Sequence, residues 1–164
     1  MAILDTLATF SGSISGAGVV TPQTVTGTNT TVLGSNVYDT TGGSPTGQSI
    51  DLGIGEDLSI VATIMTAFAG LTSLEMQLVS ADDTALSTNL TVLASSGAIP
   101  LASLIASQKI IIDIPPANPR TVRRYVGVQY VIVGAGSAGA LFTTMKPEDA
   151  PGVQTSYASG FSVL

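Results

Sequence analysis

Arg123–Val133 reads RRYVGVQYVIV, and its alternation decides the fold. Tyr125, Gly127, Gln129 and Val131 fall on one side of an extended chain. Val126, Val128, Tyr130 and Ile132 fall on the other, which is the two-residue period of a β-strand. A strand apolar on one side needs a second layer to cover that side. The neighbouring stretches of the chain hold strands that can supply it.

Upstream, Leu58–Met65 (LSIVATIM) is a buried strand by length and β-branched content. Ser73–Ser80 (SLEMQLVS) alternates cleanly, with Leu74, Met76 and Leu78 on one face and Glu75 and Gln77 on the other. Asn89–Ala94 repeats the pattern with Leu90 and Val92 inward, and Lys109–Ile114 is an apolar strand ended by Pro115-Pro116. Downstream, Ala138–Met145 returns as the next strand after a glycine-rich loop, Gly134–Gly139. Turn chemistry also marks Ala81-Asp82-Asp83, Ser95-Ser96-Gly97 and Pro115–Pro119. Ala98–Ser107 is the one helix-compatible stretch, starting at Pro100. Many short strands at regular spacing predict an all-β fold, an antiparallel β-sandwich of jelly-roll type.

The ends differ in kind. Met1–Phe10 is mildly amphipathic, as a short helix or a strand. Of the 40 residues Ser11–Ile50, 25 are Ser, Thr, Gly or Asn, and Asp39 is the only charge. Residues 1–50 are therefore expected to be an extended N-terminal arm, ordered mainly against a partner. Residues 51–146 are expected to form the sandwich, and 147–164 a tail with a sticky end at Phe161, Val163 and Leu164.

Composition narrows the chemistry. The chain of 164 residues has neither His nor Cys. The commonest general base, the commonest metal ligand and any thiolate are missing, so no enzyme, cofactor or metal site is expected. A net charge of -6 with five Lys and Arg argues against nucleic-acid binding. Met1–Phe10 carries Asp5 and no basic region, so no secretory signal is read. The longest nearly apolar run, Tyr130–Phe142, is too short for the roughly 20 residues of a membrane span. Charged residues make up 10% against about 25% in ordinary proteins. So sparse a charge leaves the surface prone to association, suiting a protein that ends packed against others.

Three motifs invite chemistry. Val131–Gly139, VIVGAGSAG, carries the G-x-G-x-x-G spacing of dinucleotide sites at Gly134, Gly136 and Gly139. That mechanism also needs a following helix and a distant acid. Here ALFTTMKP follows, which favours a strand and is stopped by Pro147. The acid pairs Glu56-Asp57, Asp82-Asp83 and Glu148-Asp149 lie in expected turns or tails and match no calcium-loop pattern. Arg120, Arg123 and Arg124 hold three of the five basic residues. They suit structural pairs with carboxylates or, with Phe161 and Leu164, a contact to another subunit.

The order of IDLGIGEDLSIVATI, FAGLTSLEMQLVSADD, IIDIPPANPRTVRRYVGVQYVIVG and SAGALFTTM resembles the Bbp16-like family of tailed-phage capsid cement proteins. The most characteristic part is Ile114-Pro115-Pro116 followed by Arg124-Tyr125 and a long strand. The likeness covers about the last two-thirds of the chain. The Thr/Gly arm looks longer than the family's usual N-terminus, and the tail after Pro147 looks added. The resemblance implies a jelly-roll sandwich that forms a homo-oligomer, dimer or trimer. It would sit on the exterior of the virion, bind the major capsid protein where capsomers meet, and stabilise the shell. A receptor- or glycan-binding virion module is the alternative, weakened by the absence of Trp and the scarcity of aromatics.

Overall fold

The computed structural model describes residues 9–40, 58–113 and 122–147. In chain order its strands begin with β1 (Thr9–Ser11), β2 (Ser13–Ile14), β3 (Val20–Thr21), β4 (Gln23–Thr24) and β5 (Gly27–Thr28). Then come β6 (Thr31–Asp39), β7 (Leu58–Ala81), β8 (Thr91–Ser95), β9 (Ile99–Pro100), β10 (Lys109–Asp113) and β11 (Tyr125–Pro147). Among the described residues the only other element is a 3-10 turn at Leu101–Ser103.

Two strands make the frame. β7 and β11 pair antiparallel from Tyr125↔Ala81 at one end to Pro147↔Leu58 at the other. The ribbon they form is folded over near its middle, where the register shifts repeatedly between Val133 and Leu141. Shifts of this kind add or drop residues in one strand and bend the pair. Glycine makes the corner possible: Gly70 has φ +79° and Gly134 φ +94°, backbone that L side chains rarely adopt. A side chain at Gly134 would also place its first carbon 2.7 Å from the Thr72 backbone nitrogen.

Shorter strands widen each half. Along β11, β6 pairs with Tyr125–Val131, β5 with Ala135 and Gly136, β4 with Ala140 and Leu141, and β1 with Thr143 and Thr144. Along the outer edge of β7, β10 pairs with Ser59–Thr63, β9 with Ser73 and Leu74, and β8 with Gln77–Ser80. The two halves face each other across one core. Ile60, Ala62 and Ile64 from one end of β7 meet Leu74, Met76 and Leu78 from the other, with Val126, Val128, Tyr130 and Ile132 of β11. Each such aliphatic side chain contributes roughly 1.5–3 kcal/mol by leaving water. The all-β antiparallel sandwich expected from the sequence is what forms, and the alternation of Arg123–Val133 and Ser73–Ser80 runs as read.

Four details differ. The Gly134–Gly139 stretch is not a hairpin loop joining two strands. It is a bend within one strand, because β7 runs alongside both halves. The helix-compatible stretch Ala98–Ser107 holds β9 and the 3-10 turn instead. Leu90 and Val92, expected inward, are 40% and 47% exposed. The core at that edge takes Leu93 and Ala94 instead, because the β7–β8 register shifts between Leu78 and Val79.

The largest correction concerns the arm. Within residues 9–40 of the expected 1–50 arm, β1, β4, β5 and β6 belong to the main sheet while β2 and β3 pair with each other, and Phe10 and Val25 are 1% and 0% exposed in the main core. Low-complexity composition did not prevent this, because β1, β4, β5 and β6 each borrow hydrogen bonds from β11. The hydroxyl-rich text supplies pairing surface, while a few apolar residues supply the anchorage.

Candidate functional site

The folded ribbon has two unlike ends. At the open end, β6 and β7 finish and β11 begins, with Tyr125 in register with both Ala81 and Asp39. The two arginines before Tyr125 reach to either side. Arg123 Nη1 donates to both carboxylate oxygens of Asp82 at 3.0 Å. Arg124 donates through Nε and Nη2 to Asp39, the shortest contact being 2.8 Å, and its guanidinium carbon stands 5.0 Å from the Tyr125 ring centre. The Asp39 carboxylate raises the Arg124 pKa above its ordinary value. Both pairs are partly exposed, so they fix geometry more than they add stability. Of the expected contact residues, the structure therefore places Arg123 and Arg124 in pairs within the chain. Arg120, Phe161 and Leu164 lie outside the described residues.

The Asp82-Asp83 turn is built as a loop anchor. Asp83 accepts hydrogen bonds from the Ser87 hydroxyl at 2.6 Å and from the backbone N–H of Ser87 and Thr88 at 2.8 and 2.9 Å. These donors, the Ser87 hydroxyl first, pull its pKa down to about 2. Asp82 is held below the ordinary carboxylate range by the Asn89 amide and then by Arg123. The loop seats Leu86, itself at φ +51°, in a small outer core with Val79, Ala81 and Tyr125. Gly127 leaves the room: a side chain there would place its first carbon 2.6 Å from Leu86 Cδ1.

On the outer face of the same half runs a polar ladder. Gln129 donates to Gln77 Oε1 at 2.6 Å, Gln77 donates to Glu75 at 2.7 Å, and Ser95 donates to the same Glu75 oxygen at 2.6 Å. The Ser95 hydroxyl and then the Gln77 amide hold the Glu75 carboxyl below its usual range. Every group in this ladder is satisfied by its neighbour, which suits scaffolding rather than acid–base work. No group of metal-ligating side chains occurs among the described residues, and none of their helices is long and apolar enough to cross a membrane. Gly134, Gly136 and Gly139 sit in extended strand, with Ala135 and Gly136 paired to β5. No helix N-terminus is there to receive a phosphate.

Near the folded end, the corner, Met65, Ile105 and Val133 are 47%, 52% and 48% exposed, and away from it Val19 and Ile111 are 61% and 55% exposed. The loop bearing Ile105 is fastened along β7 by backbone bonds from Phe68 to Leu104 and between Ile64 and both Ser107 and Gln108. Met65 and Val133 are exposed because each follows the inward-facing Ile64 and Ile132 in its strand.

The family model Bbp16 matches residues 14–145. The chain belongs to the Bbp16 family. Bbp16 proteins are phage-associated, which gives the coarse assignment of this chain to a phage structural protein. No curated protein matches the chain. The Bbp16 match also revises the reading of the arm as an addition to the family pattern, because it starts at residue 14 and includes β3 to β6.

Proposed function

We propose that this Bbp16 protein is a capsid cement protein. It binds the exterior of an assembled phage head where capsomers meet, and it stabilises the shell without catalysing a reaction. Membership of the Bbp16 family is the observation that carries this reading. The described fold is compatible with it: an all-β sandwich in which Asp39, Glu75, Asp82, Asp83, Arg123 and Arg124 are engaged within the chain, with apolar side chains left at the surface. Binding assembled coat better than separated coat stabilises the assembly by mass action. Many copies, each touching two coat subunits, add up through avidity. In this role the major capsid protein is its partner, the virion exterior its location, and a homo-oligomer its working form.

The test compares heads with and without the protein. Bare heads should assemble normally but release packaged DNA at a lower temperature than decorated ones. Electron microscopy of decorated particles should place the density at capsomer junctions. Equal release temperatures with the protein bound would reject cementing and leave the receptor-binding alternative.

A further inference from the structure

All three residues of β1 are buried, with Thr9, Phe10 and Ser11 2%, 1% and 0% exposed. The strand lies between the two walls and is held differently by each. To the second half of β11 it is joined by backbone pairing, Thr9 with Thr144 and Ser11 with Thr143, and the register breaks between the two. On the other wall the groups that hold it are side chains. Asn36 Nδ2 and the Tyr38 hydroxyl donate to the Thr9 carbonyl at 2.9 and 3.1 Å. Ser35 Oγ accepts from the Gly12 N–H at 3.3 Å, and the Ser11 and Tyr130 hydroxyls meet at 2.7 Å.

The slot that receives β1 is built without it. Between Leu33 and Val37, β6 leaves its register with β11, so Gly34, Ser35 and Asn36 stand opposite Val128 alone. Gln23, from β4, holds this bulge in shape. Its Nε2 donates to the Leu33 carbonyl at 2.6 Å, and its Oε1 accepts from the Ser35 N–H and hydroxyl, both at 2.9 Å. One side-chain amide thus fills the donor and acceptor places that a neighbouring strand's backbone would take. Gly34 supplies the room: a side chain there would put its first carbon 2.7 Å from the Phe10 carbonyl oxygen. Tyr130 keeps Thr143 as a partner with or without Ser11. Asn36 is exposed, so water can replace the Thr9 carbonyl there.

β1 pairs with one edge of β11 while β7 holds the other, so its departure parts neither long strand. We propose that β1 is a detachable plug seated in a preformed peptide slot, which it leaves and re-enters while β7 and β11 stay paired. The slot selects an extended segment carrying an aromatic followed by a hydroxyl. The Phe10 ring packs edge-on against Tyr38 in the core, and the Ser11 hydroxyl meets Tyr130. When open, it offers a strand edge and an apolar socket together, the combination that captures extended peptides. This inference stands independently of the cement reading.

Hydrogen exchange on the full chain and peptide rescue of a plug variant test it. Under native conditions the slowest amide of residues 9–12 should exchange at least about tenfold faster than those of Val128 and Leu141, the mark of a sub-global opening. Phe10→Ala in the full chain should empty the slot. A synthetic peptide of residues 7–13, LATFSGS, should then raise the variant's melting temperature saturably, as a ligand of the folded state does. The same peptide with alanine in place of phenylalanine should not. Phe10→Leu takes over should Phe10→Ala fail to fold. Amides of residues 9–12 as slow as those of Val128 and Leu141 overturn the proposal. So does a folded variant that gains nothing from the peptide at millimolar concentration, or that gains as much from the alanine peptide.

Discussion

The Tyr130 hydroxyl lies 2.7 Å from Thr143 Oγ1, although both residues belong to β11 and stand 13 apart in sequence. A straight strand would separate them by roughly 43 Å at about 3.3 Å per residue. The same hydroxyl is 2.7 Å from Ser11 Oγ, so one phenol joins β1 to both walls of the sandwich. Ser11 and Thr143 are each 0% exposed, and water does not compete for either.

Tyr130→Phe should therefore destabilise the fold by about 1–3 kcal/mol, the usual cost of stranding buried polar groups. Urea denaturation measures it. A variant as stable as the parent would mean that Ser11 and Thr143 re-pair without the phenol.

Alkali should act through the same residue. Burial pushes the Tyr130 pKa up to about 12, even though its two hydroxyl partners favour the phenolate. The unfolded value is about 10, so the protonated phenol stabilises the fold fully below that pH. Its contribution is lost as pH rises through the window towards 12. A melting-temperature series should fall less steeply there for Tyr130→Phe than for the parent.

Acid should act through Asp83. Its carboxylate is stabilised in the fold down to about 2, against about 3.9 in an unfolded chain. The stability it brings is present above the unfolded value and is lost as pH falls towards the folded one. Asp83→Ala should melt lower than the parent at neutral pH. The gap should close on acidification through that window, and a gap independent of pH would show that the loop is held by something else.

The corner makes a prediction about glycine. Gly97 has φ +68° with nothing within 4 Å of an added carbon, while Gly134 has φ +94° and meets the Thr72 backbone at 2.7 Å. Gly97→Ala should cost only the left-handed conformation, about 1–2 kcal/mol. Gly134→Ala should cost clearly more, because backbone must move as well. Equal losses in chemical denaturation would mean that the corner yields easily.

Removing residues 1–40 should abolish folding rather than trim an appendage. Phe10, which packs edge-on against Tyr38 at 4.7 Å between ring centres, would be lost with Val25 and the whole of β6. Near-ultraviolet circular dichroism should show no fixed tyrosine environment. A native-like spectrum would restore the arm as a separable piece.

The sequence made the core strands legible wherever one face is apolar and the other polar, as in Leu74-Glu75-Met76-Gln77-Leu78. It could not show that Gly134–Gly139 folds one strand over from one wall to the other instead of closing a hairpin between two. That depends on β7 continuing alongside, and on Gly70, far away in the chain, yielding at the same corner. The arm was misread for a related reason. Thr and Ser dominate its text, yet its place is decided by Phe10, Ser11 and Val25 meeting β11, more than a hundred residues later. The arginine cluster was legible as a source of ion pairs, but the partners Asp82 and Asp39 stand 41 and 85 residues from Arg123 and Arg124. No local pattern names them.

Because β7 and β11 each run through both walls, neither wall is an independent unit. A strand peeled from one wall drags its own continuation out of the other, so partial opening gains little freedom before the whole core is exposed. The protein should thus resist force and heat like a knot of two cords, holding intact until it fails all at once. Amide protons in β7 and β11 should exchange with one shared opening free energy, on either side of the corner.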